Sequence, residues 1–228
     1  MPRMKSKNEL LEYLAAASRA QAPLPSSPQL STLLGISVAS VREQLEVART
    51  LGFVDVKTRV GIQNREFSIN QCLELCLRYG AKVQPDVSDA LRDLRKHIEI
   101  SYWHEAAPQL TSRQIQTLHR IVDAAFAEIS REPVRSPQPE HREFHMLIFE
   151  HLENPLANSI LETFWNLNAE YERNLPVDRA YLENVWNYHR RIADALASRD
   201  YERGYQWLVE HMDLVKQRKK ADLSQRFE

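Results

Sequence analysis

The segment His141-Arg142-Glu143-Phe144-His145 carries the clearest chemistry in this 228-residue chain. Histidines at i and i+4 of a helix project from one face, a single turn apart. A neutral imidazole offers one ring nitrogen as a metal ligand while the other is held by a hydrogen bond. The neighbouring Glu140 and Glu143 do not share that face. Two further histidines lie on later helical segments. His189 shares a face with Val185, Ile192 and Leu196, and His211 with Trp207 and Leu208, so both are expected to point inward. Taken singly, each is most simply a core histidine satisfied by a carboxylate or a backbone group. Four inward imidazoles without partners would be costly, and their convergence inside a helix bundle points to a buried metal centre.

The elements that must position them follow from composition and periodicity. Glycine is scarce, with five residues in all, and Leu, Ala, Glu and Arg are abundant, which favours helices. No apolar run approaches the roughly 20 residues that span a bilayer. The basic, then amphipathic start MPRMKSKNELLEYL has no apolar core segment or cleavage site, so a cytoplasmic protein with no membrane partner is expected. The length allows two domains. Residues 1–66 hold nine Lys/Arg and six Asp/Glu, and the remainder 21 and 25, giving a basic head (+3) on an acidic body (−4). Cys72 and Cys76, one helical turn apart, are poorly placed for a disulfide and are expected to be buried structural thiols.

In the head, 6–18 reads as a helix with Leu10, Leu11, Leu14 and Ala15 in an apolar stripe. Ser26 or Ser27 caps a second helix with Pro28 early in it, and Gly35 ends it. Ser37 caps a third helix running to about Leu51. Helix, glycine turn and capped helix form a helix-turn-helix. Phe53 to Val56, a turn near Arg59-Val60-Gly61 and a short second strand add a hairpin wing. Beyond Ser68 the pattern is helical throughout, near 69–80, 86–107, 111–130, 138–153, 155–173, 178–198 and 200–219. Short connections between long amphipathic helices predict an antiparallel bundle. The fold class is therefore mainly all-α: a winged helix-turn-helix over 1–67 and a helical sensing and dimerisation domain over 68–228.

These landmarks resemble the GntR-type transcription regulators of the FadR-like branch, whose helical C-terminal sensing domain is called FCD. The head segment LPSSPQLSTLLGISVASVREQLEVARTLGFVDV is similar to that family's winged-helix signature. In the body, LRDLRKHIE (91–99), HREFH, ENPL (153–156), YHRRIADAL (188–196) and WLVEHM (207–212) keep the family's order. The resemblance implies a homodimer that binds a double-stranded DNA operator and responds to a small carboxylate metabolite bound beside a metal. It places His145, His189 and His211 at ligand positions, with His141 where the family has Asp. An all-imidazole set leans toward Zn²⁺, or Ni²⁺, and away from Mn²⁺. A three-histidine site with His141 turned away is the other arrangement.

Arg95, in Arg95-Lys96-His97-Ile98-Glu99, matches an arginine that pairs with the effector carboxylate in the family, a task suited to a guanidinium. Its alternative is an ion pair with Glu99 or Asp93. For DNA the recognition helix offers Ser37, Ser40 and Arg42, with Lys57 and Arg59 from the wing. The alternative for Arg42 is a salt bridge to Glu46. Ser27-Pro28 and Val38 stand where the family commonly has Glu-Arg and Arg, which predicts an unusual operator or modest affinity. His97, His104, His119 and His151 match no motif and are expected at the surface or with ordinary partners. A helix-bundle metalloenzyme is the competing class, but no nucleophile or acid/base motif accompanies the histidines. A regulator whose C-terminal site is empty is the third reading.

Overall fold

A computed structural model of the chain describes residues 9–57, 60–84, 86–172 and 178–225, with the side chains of 169–172 and 215–225 outside the description. Contacts divide it within one helix, after Leu77, into two compact units.

The first unit holds α1 (Glu9–Arg19), α2 (Ser27–Leu34), α3 (Val38–Thr50) and an antiparallel hairpin of β1 (Val54–Lys57) and β2 (Gly61–Asn64). The local signals explain these boundaries. The Ser26 backbone N–H donates to Gln29 Oε1 at 2.9 Å, closing the first turn of α2. Gly35 ends it with φ 63°, a left-handed position that glycine occupies without strain. Ser37 Oγ accepts the Ser40 N–H at 3.1 Å and caps α3. Leu10, Leu14, Leu30, Val41 and Leu45 form the core, which Val54 and Ile62 of the hairpin complete. Asn64 Nδ2 donates to Ala22 O at 3.0 Å, tying the wing to the turn after α1. This is the winged helix-turn-helix read from the sequence.

The rest is helical: α4 (Asn70–Val83), α5 (Val87–Ala106), a 3-10 turn (Ala107–Gln109), α6 (Ser112–Ile129), α7 (Gln138–Ile148), α8 (Pro155–Glu172), α9 (Arg179–Ala197) and α10 (Tyr201–Gln225). In the second unit α9 packs against α6 and α10, α5 against α8 and α10, and α7 against α6 and α8. Thr111 caps α6 by accepting the Gln114 N–H, and Asp178 caps α9 by accepting the Tyr181 N–H. Asn154 Oδ1 accepts from the backbone of Leu156 and Ala157 at 3.0 and 3.1 Å, so it starts α8.

Several expectations change: in α1 Leu11 and Ala15 of the expected stripe are exposed while Ala17 is buried, and the helix expected over 200–219 runs on to Gln225. The helix near 69–80 continues through Gly80 to Val83. The helix expected over 138–153 stops at Ile148, because Phe149 leaves helical geometry (φ −101°, ψ 14°) and the turn buries both Phe149 and Leu152. The cysteines are not buried thiols: Cys72 is half-buried and Cys76 exposed. Their helix, α4, fully buries none of its residues, and Leu75, Tyr79 and Val83 along it are exposed as well.

Candidate metal and effector site

The four histidines come together. One ring nitrogen from each of His141, His145, His189 and His211 lies within 4.8 Å of the other three. The set is drawn from α7, α9 and α10, and each side chain is turned inward by its helix's apolar stripe. His145, His189 and His211 are buried, whereas His141 keeps partial exposure although its Nε2 is enclosed. Phe144, Trp165 and Trp186 wall the cluster, with the Trp186 ring stacked 4.4 Å from that of His189.

Hydrogen bonds fix which nitrogens face the centre. His189 Nδ1 lies 2.9 Å from the Val185 carbonyl, an acceptor, so Nδ1 carries the proton and Nε2 presents a lone pair. His145 Nδ1 lies 2.7 Å from Glu99 Oε2, and an ionised Glu99 leaves His145 Nε2 bare in the same way. These two Nε2 atoms are 3.1 Å apart. Facing lone pairs repel unless a proton or a cation lies between them. Adjacent nitrogens on a tetrahedral zinc with Zn–N bonds of about 2.05 Å sit about 3.3 Å apart. The donor set therefore fits a divalent metal. Two more nitrogens, His141 Nε2 and His211 Nδ1, are enclosed and, among the described residues, have no hydrogen-bond partner. Burial holds all four imidazoles below their ordinary pKa, with His189 lowered to about 3, so they stand as neutral donors.

Behind the histidines is a carboxylate that sequence reasoning treated only as a partner for Arg95. Glu99 is fully buried on α5. Its Oε2 meets His145, and its Oε1 accepts from Arg95 Nε at 2.6 Å. Burial pushes the Glu99 carboxyl up, while Arg95 opposes the shift. Arg95 thus has the Glu99 partner foreseen as its alternative role, but its Nη2 is enclosed and, among the described residues, has no partner. The guanidinium lies 4.2 Å over the Trp165 ring and 4.8 Å over that of Phe164. The Trp165 indole nitrogen is likewise buried and unpartnered. The i, i+4 spacing of Arg95 and Glu99 was the available signal for this pair; nothing local marked Trp165.

The other histidines have ordinary surroundings. His97 meets the Asp93 carbonyl, His104 stacks on Tyr205, His119 reaches Asp194, and His151 meets Gln114.

In the head, Ser37 is exposed and caps α3, Ser40 is half-buried with its Oγ accepting from Gln44, and Arg42 and Lys57 are exposed. The salt bridge considered for Arg42 is absent among the described residues, since Glu46 is taken by Arg49. Arg59 lies outside the described residues.

A winged helix-turn-helix followed by a helical bundle is the architecture of a DNA-binding transcription regulator. The chain belongs to the FCD family of GntR-type regulators: the FCD domain matches residues 90–214. It is 26% identical over 200 residues to the HTH-type transcriptional regulator YcbG of Bacillus subtilis strain 168, spanning 87% of this chain and 81% of that protein. It is 23% identical over 205 residues to the Uxu operon transcriptional regulator of Escherichia coli K12, spanning 86% and 77%. Among solved structures, a GntR protein of Streptococcus agalactiae matches with a TM-score of 0.61 at 17% identity, covering 93% of this chain and 98% of that one, which supports the fold. These relatives are named regulators, which sets the chain with regulators rather than enzymes. Among the described residues no helix is long and apolar enough to cross a membrane.

Proposed function

We propose that this regulator is a cytoplasmic homodimer in which His141, His145, His189 and His211 hold one divalent metal, zinc in the first instance and nickel as the alternative. A small organic acid binds beside that metal and pairs with Arg95. Its binding changes the grip of the winged helix on a double-stranded operator, contacted by Ser37, Ser40, Arg42, Lys57 and Arg59. We place the functional boundary at residue 67, so that α4 belongs to the sensing and dimerisation domain (68–228).

The observation that carries the metal reading is the pair of Nε2 atoms 3.1 Å apart, each with its Nδ1 engaged elsewhere. The unpartnered Arg95 Nη2 supports the effector reading, because a buried cationic donor is costly without an acceptor. The exposed Arg42 at the start of a capped α3 supports the operator reading. The metal would act as a Lewis acid that anchors an anionic ligand. Elemental analysis of the purified protein should find about one divalent metal per chain. Absence of metal, together with a melting temperature unmoved by chelation, would remove the metal claim. Selection of bound genomic fragments should return a two-fold-related sequence, and failure to enrich one would count against the operator claim.

A further inference from the structure

We propose that the ligand taken at this centre is a small dianion of the short dicarboxylate class, rather than a monocarboxylate, and that Trp165 donates its indole N–H to it. This inference rests on the metal-and-effector reading above and names the ligand class for the same site.

The four gathered donors are imidazoles, and no Asp or Glu of the described residues joins the set. Four neutral ligands contribute no negative charge. Glu99, the carboxylate bonded to His145, is already matched by Arg95 at 2.6 Å, so that pair sums to zero. A divalent ion in this cluster therefore brings two positive charges that no member of the cluster offsets, in surroundings that penalise an uncompensated charge. A ligand with two negative charges neutralises the site, and one with a single charge leaves a buried excess.

The donors for such a ligand are in place. Arg95 Nη2 and Trp165 Nε1 belong to side chains more than nine-tenths buried, and each lacks an acceptor among the described residues. They adjoin the histidines directly. The Trp165 ring centre is 4.8 Å from that of His141 and 5.2 Å from that of His145, with the Arg95 guanidinium stacked on its face. A molecule of a few heavy atoms would put one carboxylate on the metal as a fifth ligand beyond the four imidazoles and the other at the arginine and the indole. Phe144, Phe164 and Trp186 wall the cluster with aromatic rings.

The test is isothermal titration calorimetry on the zinc-loaded, desalted full chain, with succinate against butyrate and oxalate against acetate. Each dianion should bind at least ~10-fold more tightly than its partner, the scale of one charge-assisted hydrogen bond. His141→Asp adds one negative charge to the ligand set and should shrink that ratio severalfold with zinc retained. Trp165→Phe keeps the ring, removes the donor, and should weaken dianion binding roughly threefold to tenfold at unchanged zinc content. If zinc is retained and the two members of each pair bind equally, or neither binds, the inference is overturned while the metal claim stands. Should the wild-type chain hold no divalent metal, both fall. The wild-type comparison decides the ligand class even if a variant misfolds.

Discussion

Replacing Glu99 by glutamine tests whether the centre is built for a metal or is a satisfied polar core. The carboxylate serves two donors at once, His145 Nδ1 at 2.7 Å and Arg95 Nε at 2.6 Å. Glutamine has nearly the same shape, but one side of its amide is itself a donor. It can accept from Arg95 or from His145, not from both through separate oxygens. If it faces Arg95, the His145 ring loses the bond that fixes its tautomer, and metal affinity should fall by about 10- to 100-fold. In either orientation the Arg95 charge loses its buried counter-ion, and removing one partner of such a pair costs about 3–5 kcal/mol. For a chain of this size that lowers the melting temperature by roughly 6 °C or more. Zinc affinity by competition with a chromophoric chelator, and melting of the metal-free protein followed by circular dichroism, read the two effects separately. A variant that binds zinc within threefold of the parent and melts within ~2 °C of it would refute the coupling drawn here between Arg95, Glu99 and His145.

Other consequences are as direct. The metal-free protein should lose stability on acidification from pH 7 towards 4: burial lowers the folded-state pKa of all four histidines, so the unfolded chain takes up more protons below about 6.5. Glu99, shifted upward, opposes this above its ordinary value, but as one group against four, and thermal melts across that range should show the net downward trend. Gly204→Ala should destabilise the bundle by ~1–3 kcal/mol, measured by urea unfolding, because the new Cβ would sit 2.6 Å from Trp103 Cζ2 where α10 crosses α5. Arg42→Ala should abolish measurable operator binding in a gel-shift or anisotropy assay while leaving metal content unchanged. At lower salt, where residual binding can be followed, the salt dependence should flatten by about one phosphate contact.

The fold was legible because its signals are local. Ser37 and Gly35 mark the ends of α3 and α2 through bonds and dihedrals within a few residues, and the structure uses them as read. The 3.6-residue apolar period likewise turned His189 and His211 inward, since Ile192, Leu196 and Leu208 on the same faces are buried. Failures arose where burial depends on distant chain. Cys72 and Cys76 sit in an amphipathic pattern, yet α4 fully buries none of its residues. The helix expected to reach 153 ends at Ile148, and the turn that follows buries Phe149 and Leu152, packing that residues 145–153 alone do not display.

Glu99 shows the same limit at the site itself. From sequence, Arg95 offered two exclusive roles, an effector contact or an ion pair with Glu99. The structure makes them compatible, because a guanidinium has five N–H donors and Glu99 engages only Nε among the bonds described. The pairing orients the guanidinium and leaves Nη2 without a partner among the described residues, and the other oxygen of the same carboxylate orients His145. Under the proposed function, ligand charge arriving at Arg95 would weaken that arginine's pull on Glu99 and so strengthen Glu99 as an acceptor for His145 Nδ1–H. A stronger acceptor makes His145 Nε2 a more basic donor towards a metal. By reciprocity, a metal that draws on His145 improves the field at Arg95 for an anion. The link spans α5 and α7, so no periodicity in either helix could reveal it, and it follows once the bundle sets the two side by side.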